Sequence, residues 1–171
     1  LDLDKTQEIG VIQGHDNSVS AVAITPDGNK VASCSLDGTL KIWAIDSLKE
    51  IRTIYDHYGF ETITITPDGD KVISGSRDNT LKVWDLEKGR EIGILRGHRD
   101  CVNIAVIMPD GKKVISGSWD NTIKVWDINK KECISTFVGE GSFSSCAVSL
   151  DGLTIIAGES SGIVHFLRIV Q

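Results

Sequence analysis

Three Ser/His/Asp sets stand in this sequence, each accompanied by a tryptophan: His15, Ser33, Asp37 and Trp43; His57, Ser74, Asp78 and Trp84; His98, Ser116, Asp120 and Trp126. The interval from Ser to Asp is always four residues, and that from Asp to Trp always six. Hydroxyl, imidazole and carboxylate are the parts of a nucleophilic acyl-transfer site, in which imidazole takes the hydroxyl proton and the carboxylate orients the imidazole. Threefold recurrence without a nucleophile-elbow motif argues instead for a structural relay. In such a relay the turn Asp accepts from imidazole, imidazole contacts the hydroxyl, and the hydroxyl meets the indole N–H. Each group satisfies another that is costly to bury alone. A fourth segment holds Glu140, Ala157, Ser161 and Leu167 in the corresponding slots. Loss of all four together is what a network predicts, because a half-satisfied remnant is worse than none. His57 is the odd member: Pro67 follows it by ten residues, whereas Pro26 and Pro109 follow their histidines by eleven.

The segments that must position these sets recur with them. Ser74 to Asp85 returns as Ser116 to Asp127, with a looser copy from Ser33 to Ala44, and Trp43, Trp84 and Trp126 mark a period of 41 to 42 residues. A period of that size indicates a propeller, solenoid or array. Extended to both ends, it fills residues 1–171 with four repeats and a single domain. Within the second repeat, Phe60 to Thr66 reads as strand a, Lys71 to Gly75 as b, Thr80 to Asp85 as c and Arg90 to Leu95 as d. Pro67 and Gly69 mark the a–b turn, and Arg77-Asp78-Asn79 the next hairpin. One four-stranded meander cannot hide both faces, so the copies must stack. The expected fold is therefore all-β: a propeller with four four-stranded blades per chain.

Composition narrows the function classes. A net charge of -6 with scattered Lys and Arg offers no basic stripe for a phosphate backbone, so no nucleic-acid partner is expected. No apolar run approaches the roughly 20 residues of a bilayer span, and Leu1 to Thr6 is too acidic for a secretory signal, so no membrane partner is expected either. Cys34, Cys101, Cys133 and Cys146 are separated by 67, 32 and 13 residues. That spacing lacks a C-x-x-C pair, so they read as buried free thiols of a reducing cytoplasm, with no metal site and no cofactor.

At Gly14-His15, Gly97-His98, Trp84-Asp85 and Trp126-Asp127 the chain resembles the WD40 repeat family. Trp43-Ala44, Asp56-His57 and the fourth repeat depart from its pattern. The stretch from Gly139 to Ile169 also looks like the terminal repeat of WD40 arrays in bacterial multidomain signalling ATPases, which implies a sensor or regulatory role as an alternative. The resemblance implies a β-propeller that works as a protein-interaction scaffold in signalling, non-catalytic, with a protein or peptide partner; a hydrolase is the remote alternative. Carried over position by position, its partner face takes Ser18, Ser20 and Leu36; Gly59, Glu61 and Arg77; Cys101, Asn103 and Trp119; and Ser142, Ser144 and Ser160. Trp119 and Arg77 are of the types most enriched at binding hot spots.

The ends are complementary. Leu1 to Asp4 align with the turn before a strand d, Glu8 to Gln13 reads as that strand, and Ile163 to Ile169 reads as a final strand c without a following d. The N-terminal strand can complete the last blade of its own chain, giving a four-bladed ring, or that of another. Four blades demand about 90° between neighbours against about 45° for eight. The blade chemistry resembles that of wide rings, so the expectation is a head-to-tail homodimer closing an eight-bladed ring.

Overall fold

The computed structural model describes residues 7–170; Leu1 to Asp4 lie outside them. The described residues form strands and no helix. The first sheet comprises β1 (Val19–Ile24), β2 (Lys30–Ser35), β3 (Thr39–Ala44) and β4 (Lys49–Tyr55). The second comprises β5 (Phe60–Ile65), β6 (Lys71–Ser76), β7 (Thr80–Asp85) and β8 (Arg90–Arg96). The third comprises β9 (Val102–Ile107), β10 (Lys113–Ser118), β11 (Thr122–Asp127) and β12 (Glu132–Val138). The fourth holds three strands, β13 (Phe143–Val148), β14 (Thr154–Glu159) and β15 (Val164–Arg168). Every sheet is an antiparallel meander in chain order.

Turn chemistry sets the registers. In the a–b turn the Thr66 hydroxyl donates to the Asp68 carboxylate, which also accepts the Asp70 N–H at 3.0 Å. Gly69 takes the left-handed conformation the turn requires, with φ of 78°. In the b–c hairpins the turn Asp accepts the N–H two residues on, at 2.7 Å for Asp37, 3.0 Å for Asp78 and 2.9 Å for Asp120. Asn79 and Asn121, at φ of 69° and 65°, tolerate the next position. Each relay Asp thus builds its own hairpin.

The sheets stack face to face, with β1, β5, β9 and β13 as neighbours in series. Ala32, Cys34, Leu40, Ile42 and Ile54 of the first sheet pack on Phe60, Ile63, Ile65, Val72 and Trp84 of the second. The same arrangement recurs between the second and third sheets and between the third and fourth. Full burial of each large aliphatic side chain stabilises by about 1.5–3 kcal/mol.

Both ends of this stack are bare. Val19, Val22 and Ile24 are the first-sheet counterparts of Phe60, Ile63 and Ile65, yet all three are exposed, Val22 at 67%. Ile156, Val164 and Phe166 are the fourth-sheet counterparts of Ala32, Leu40 and Ile42, and these too are exposed, Phe166 at 74%. The four blades therefore do not close on themselves. Glu8 to Gln13, expected as strand d, forms no strand. The outer edges of β3, β7 and β11 are filled by β4, β8 and β12; among the described residues the corresponding edge of β15, in the sheet at the opposite end of the stack, has no such partner.

The thiols divide differently from expectation. Cys34 and Cys101 are buried and Cys146 is partly so, but Cys133 is exposed. It lies on β12, the outermost strand of its sheet, where only Phe137 is drawn inward. No helix among the described residues is long and apolar enough to cross a membrane, and no cluster of three metal-ligating side chains occurs among them.

Candidate functional site

The first and third blades bring their four relay residues together. In the third, the Trp126 indole N–H donates to Ser116 Oγ at 2.7 Å, Ser116 Oγ lies 2.7 Å from His98 Nε2, and His98 Nδ1 lies 2.9 Å from Asp120 Oδ2. In the first, the corresponding separations are 2.8, 2.6 and 3.3 Å for Trp43, Ser33, His15 and Asp37. A neutral imidazole donating from Nδ1 to the carboxylate and accepting the serine hydroxyl at Nε2 satisfies every member. Thr39 and Thr122 add hydroxyls within 2.8 and 3.1 Å of the same Nδ1. The His98 side chain is 0% exposed, and each serine oxygen is already engaged by an indole. This geometry braces hairpins, and the Ser116 side chain is fully buried.

The second blade does not bring His57 into its set. His57 is exposed and Asp56 is buried instead. The Lys82 ammonium bridges the Asp56 and Asp78 carboxylates, the latter at 2.8 Å. The d–a loop, one residue shorter, carries the imidazole past its slot. Ser74 and Trp84 still bond at 2.9 Å, so half of the set survives alone, with Phe60 edge-on to the indole at 6.2 Å between ring centres. The fourth blade holds a different network rather than none. Buried Glu159 accepts from the Glu140 N–H at 2.9 Å and from the Ser161 hydroxyl at 2.7 Å, and it faces His165 Nε2 at 2.8 Å. Sequence reasoning missed Asp56, Lys82, Glu159 and His165. The available signals were an acid in the Gly slot before His57, and the Glu and His of the fourth repeat in slots that hold Ser and Lys elsewhere.

Electrostatics follow from these contacts. Burial pushes Asp37 up, but hydrogen bonds from the Thr39 hydroxyl and from the Asp16 and Thr39 N–H groups outweigh it and leave the carboxyl at about 2. Asp120 is lowered in the same way, burial being overcome by Thr122, the Arg99 N–H and His98. Burial lowers His98, with Asp120 opposing. Burial also lifts the thiols, Cys34 and Cys101 to about 11 and Cys146 to about 12.

These braced hairpins carry the expected partner face. Backbone bonds knit its loops in pairs, Leu36 N–H to Ser18 O at 3.1 Å, Trp119 to Cys101 at 3.1 Å and Ser160 to Ser142 at 2.9 Å. Gly59 and Cys101 are buried and present no side chain to a partner. Ser20 and Asn103 reach across to the next blade, donating to the Phe60 and Phe143 carbonyls at 2.5 and 3.0 Å. Arg77 is exposed and pairs with Glu61; Ser142 and Ser160 share a bond of 2.9 Å, and Ser144 is exposed. Trp119 stands 49% exposed, and the buried Asn103 Oδ1 has no hydrogen-bond partner.

The family profile described as "WD domain, G-beta repeat" matches residues 6–44, 48–85 and 89–127. Each match opens in or before a d segment and closes with strand c. The chain is 51% identical over 39 residues to "Guanine nucleotide-binding protein G(I)/G(S)/G(T) subunit beta-1" of Homarus americanus, which covers 23% of this chain and 12% of that protein. It is 50% identical over 42 residues to "Guanine nucleotide-binding protein subunit beta" of Lymnaea stagnalis, 25% of this chain and 12% of that one. The chain thus matches about an eighth of the length of these relatives. With three profile matches spanning more than half of its residues, and a fold of three four-stranded antiparallel sheets and one three-stranded sheet, the chain belongs to the WD40 repeat family.

Proposed function

We propose that this chain is a non-catalytic interaction scaffold of the cytoplasm that holds a protein or peptide partner on the loop face bearing Trp119, Arg77 and Glu61. The observation that carries the reading is Trp119: a half-exposed indole on a hairpin whose Asp120, His98 and Ser116 are locked beneath it. A large rigid side chain held in place loses little entropy on docking, which is why Trp anchors recur at interface centres. The similarity to guanine nucleotide-binding protein beta subunits favours a signalling context. The test is partner capture from source-cell extract with wild type and with the Trp119→Ala/Arg77→Ala double variant, followed by mass spectrometry. Specific partners should be lost while the thermal midpoint stays unchanged. Capture unaffected by the double variant refutes the face; a hydrolysis abolished by Ser116→Ala in a folded protein refutes the non-catalytic reading.

Two copies, on this reading, close head to tail into an eight-bladed ring. Support comes from the bare ends: the exposed face of Val19, Val22 and Ile24 is the counterpart of one side of each internal blade contact, and that of Ile156, Val164 and Phe166 the counterpart of the other. Light scattering should give twice the chain mass of 18.6 kDa; a species at that single mass refutes the ring.

A further inference from the structure

Lys41, Lys82 and Lys124 hold the same slot of strand c in the first three blades, each two residues before its tryptophan. On strand d of the first blade, Glu50 faces Trp43 and Thr53 faces Lys41. On strand d of the third, Cys133 faces Trp126 and Thr136 faces Lys124. The Lys41 ammonium donates to Glu50 Oε2 and to Thr53 Oγ1, each at 2.7 Å, and the Thr53 hydroxyl donates to Glu50 Oε1 at 2.6 Å. One carboxylate thus spans an ammonium and a hydroxyl. Lys82 has the Asp56 and Asp78 carboxylates. Lys124 donates to Thr136 Oγ1 at 2.9 Å, and where Glu50 would stand there is a thiol, 3.5 Å from the same oxygen. Among the described residues, Lys124 alone of the three forms no ion pair.

Space and charge change in the same direction. A pocket of about 280 Å³ opens beside Lys124 and Thr136, bordered also by Arg99, Asp120 and Val138. The slot of Arg99 holds Asp16 in the first blade, and that of Val138 holds the larger Tyr55. Asp120 is already engaged: its Oδ2 faces His98 Nδ1 at 2.9 Å and accepts the Arg99 N–H at 2.8 Å, and its Oδ1 accepts the Thr122 N–H at 2.9 Å. An ammonium carries three donors, and a half-buried one with a single neutral hydroxyl for company favours an anion beside it.

We propose that Lys124, Thr136 and Arg99 seat a carboxylate from outside the chain, the Asp or Glu side chain of a peptide partner. The inference rests on the interaction-scaffold reading above and gives that partner a chemistry. The first blade supplies the template, since Glu50 fills the equivalent seat with one oxygen on the ammonium and the other on the hydroxyl. Trp119 directly precedes Asp120, so the exposed indole and the seat share one hairpin. The chain as a whole carries a net charge of -6, which repels an acidic peptide elsewhere and makes a local cationic seat selective for where it docks.

The test titrates the isotope-labelled full chain with a hexaglutamate peptide, and with hexaglutamine as the neutral control, while amide chemical shifts are followed at low ionic strength. The same spectra report whether each variant is folded. Hexaglutamate should shift the Arg99, Lys124 and Thr136 amides saturably, and hexaglutamine should not. Lys124→Gln and Arg99→Gln should each weaken binding by up to about fivefold, the range of a solvent-facing ion pair. Cys133→Glu, which supplies the carboxylate from within as Glu50 does, should abolish the saturable shifts, and Trp119→Ala should leave them in place. No saturable shift, an equal response to hexaglutamine, or shifts that persist in Cys133→Glu overturn the carboxylate seat. Capture of cellular partners by the Trp119→Ala/Arg77→Ala variant is scored separately, so failure of the seat is distinguishable from failure of the loop face.

Discussion

Ser116→Ala and Ser74→Ala remove the same hydroxyl from two fully buried, equivalent positions, but they break different numbers of bonds. Ser116 Oγ serves both the Trp126 indole and His98 Nε2, whereas Ser74 Oγ serves only Trp84. Each buried polar group left without a partner costs about 1–3 kcal/mol. Ser116→Ala should therefore destabilise by about 2–6 kcal/mol and Ser74→Ala by about 1–3 kcal/mol. Urea unfolding followed by circular dichroism measures both differences, with the slope unchanged if the denatured state is unaltered. His98→Ala, alone and combined with Ser116→Ala, isolates the coupling, which should be about 0.5–3 kcal/mol. Equal costs for the two serines, or a nearly neutral Ser116→Ala, would refute the claim that the imidazole link stabilises the third blade.

Further outcomes follow from the same contacts. His98 is lowered from 6.5, so below that pH the unfolded chain binds the proton first; stability should start to fall as pH drops through about 6.5, and His98→Gln should remove that first decline. Asp37 at about 2 against an ordinary 3.8 contributes stability that is present above about pH 4 and lost as pH falls toward 2, a second step that Asp37→Asn should flatten in acid titration by circular dichroism. Lys82→Ala strands the Asp56 and Asp78 carboxylates beside each other and should cost about 1.5–3 kcal/mol at neutral pH, shrinking in acid; Lys124→Ala, which gives up a bond to the Thr136 hydroxyl, should cost less in the same urea series. In the native protein a thiol reagent should label Cys133 first, with Cys34, Cys101 and Cys146 reacting only on unfolding, as mass spectrometry of the labelled chain will show.

Fold and much of the bracing chemistry were legible because they are local and periodic. Alternation along Thr80–Asp85, Pro-Asp-Gly turns and an Asp that caps its own hairpin each act within a few residues, and repetition made them visible three times over. Two relay sets also followed from spacing, since a fixed register from Ser33 to Trp43 or from Ser116 to Trp126 places hydroxyl and indole side by side. The second and fourth blades resisted for a different reason. Whether Lys82 or His57 meets Asp78 depends on the path of a d–a loop one residue shorter, and Glu159 needs His165 from a neighbouring strand; residue type alone does not say which group arrives first.

The sequence by itself determined the four repeats, the strand order within each blade and the hairpins that carry Trp119 and Arg77, because those are set by local propensity and pattern. Tertiary structure alone decided which groups are satisfied and which surfaces remain open. It put Lys82 where imidazole was expected, buried Gly59 and Cys101 beneath the loop face, and left Glu8 to Gln13 and the edge of β15 unpaired at opposite ends of one stack. Burial and pairing are properties of what packs next to a residue, and blades one and four have their outer faces uncovered where blades two and three have neighbours on both sides.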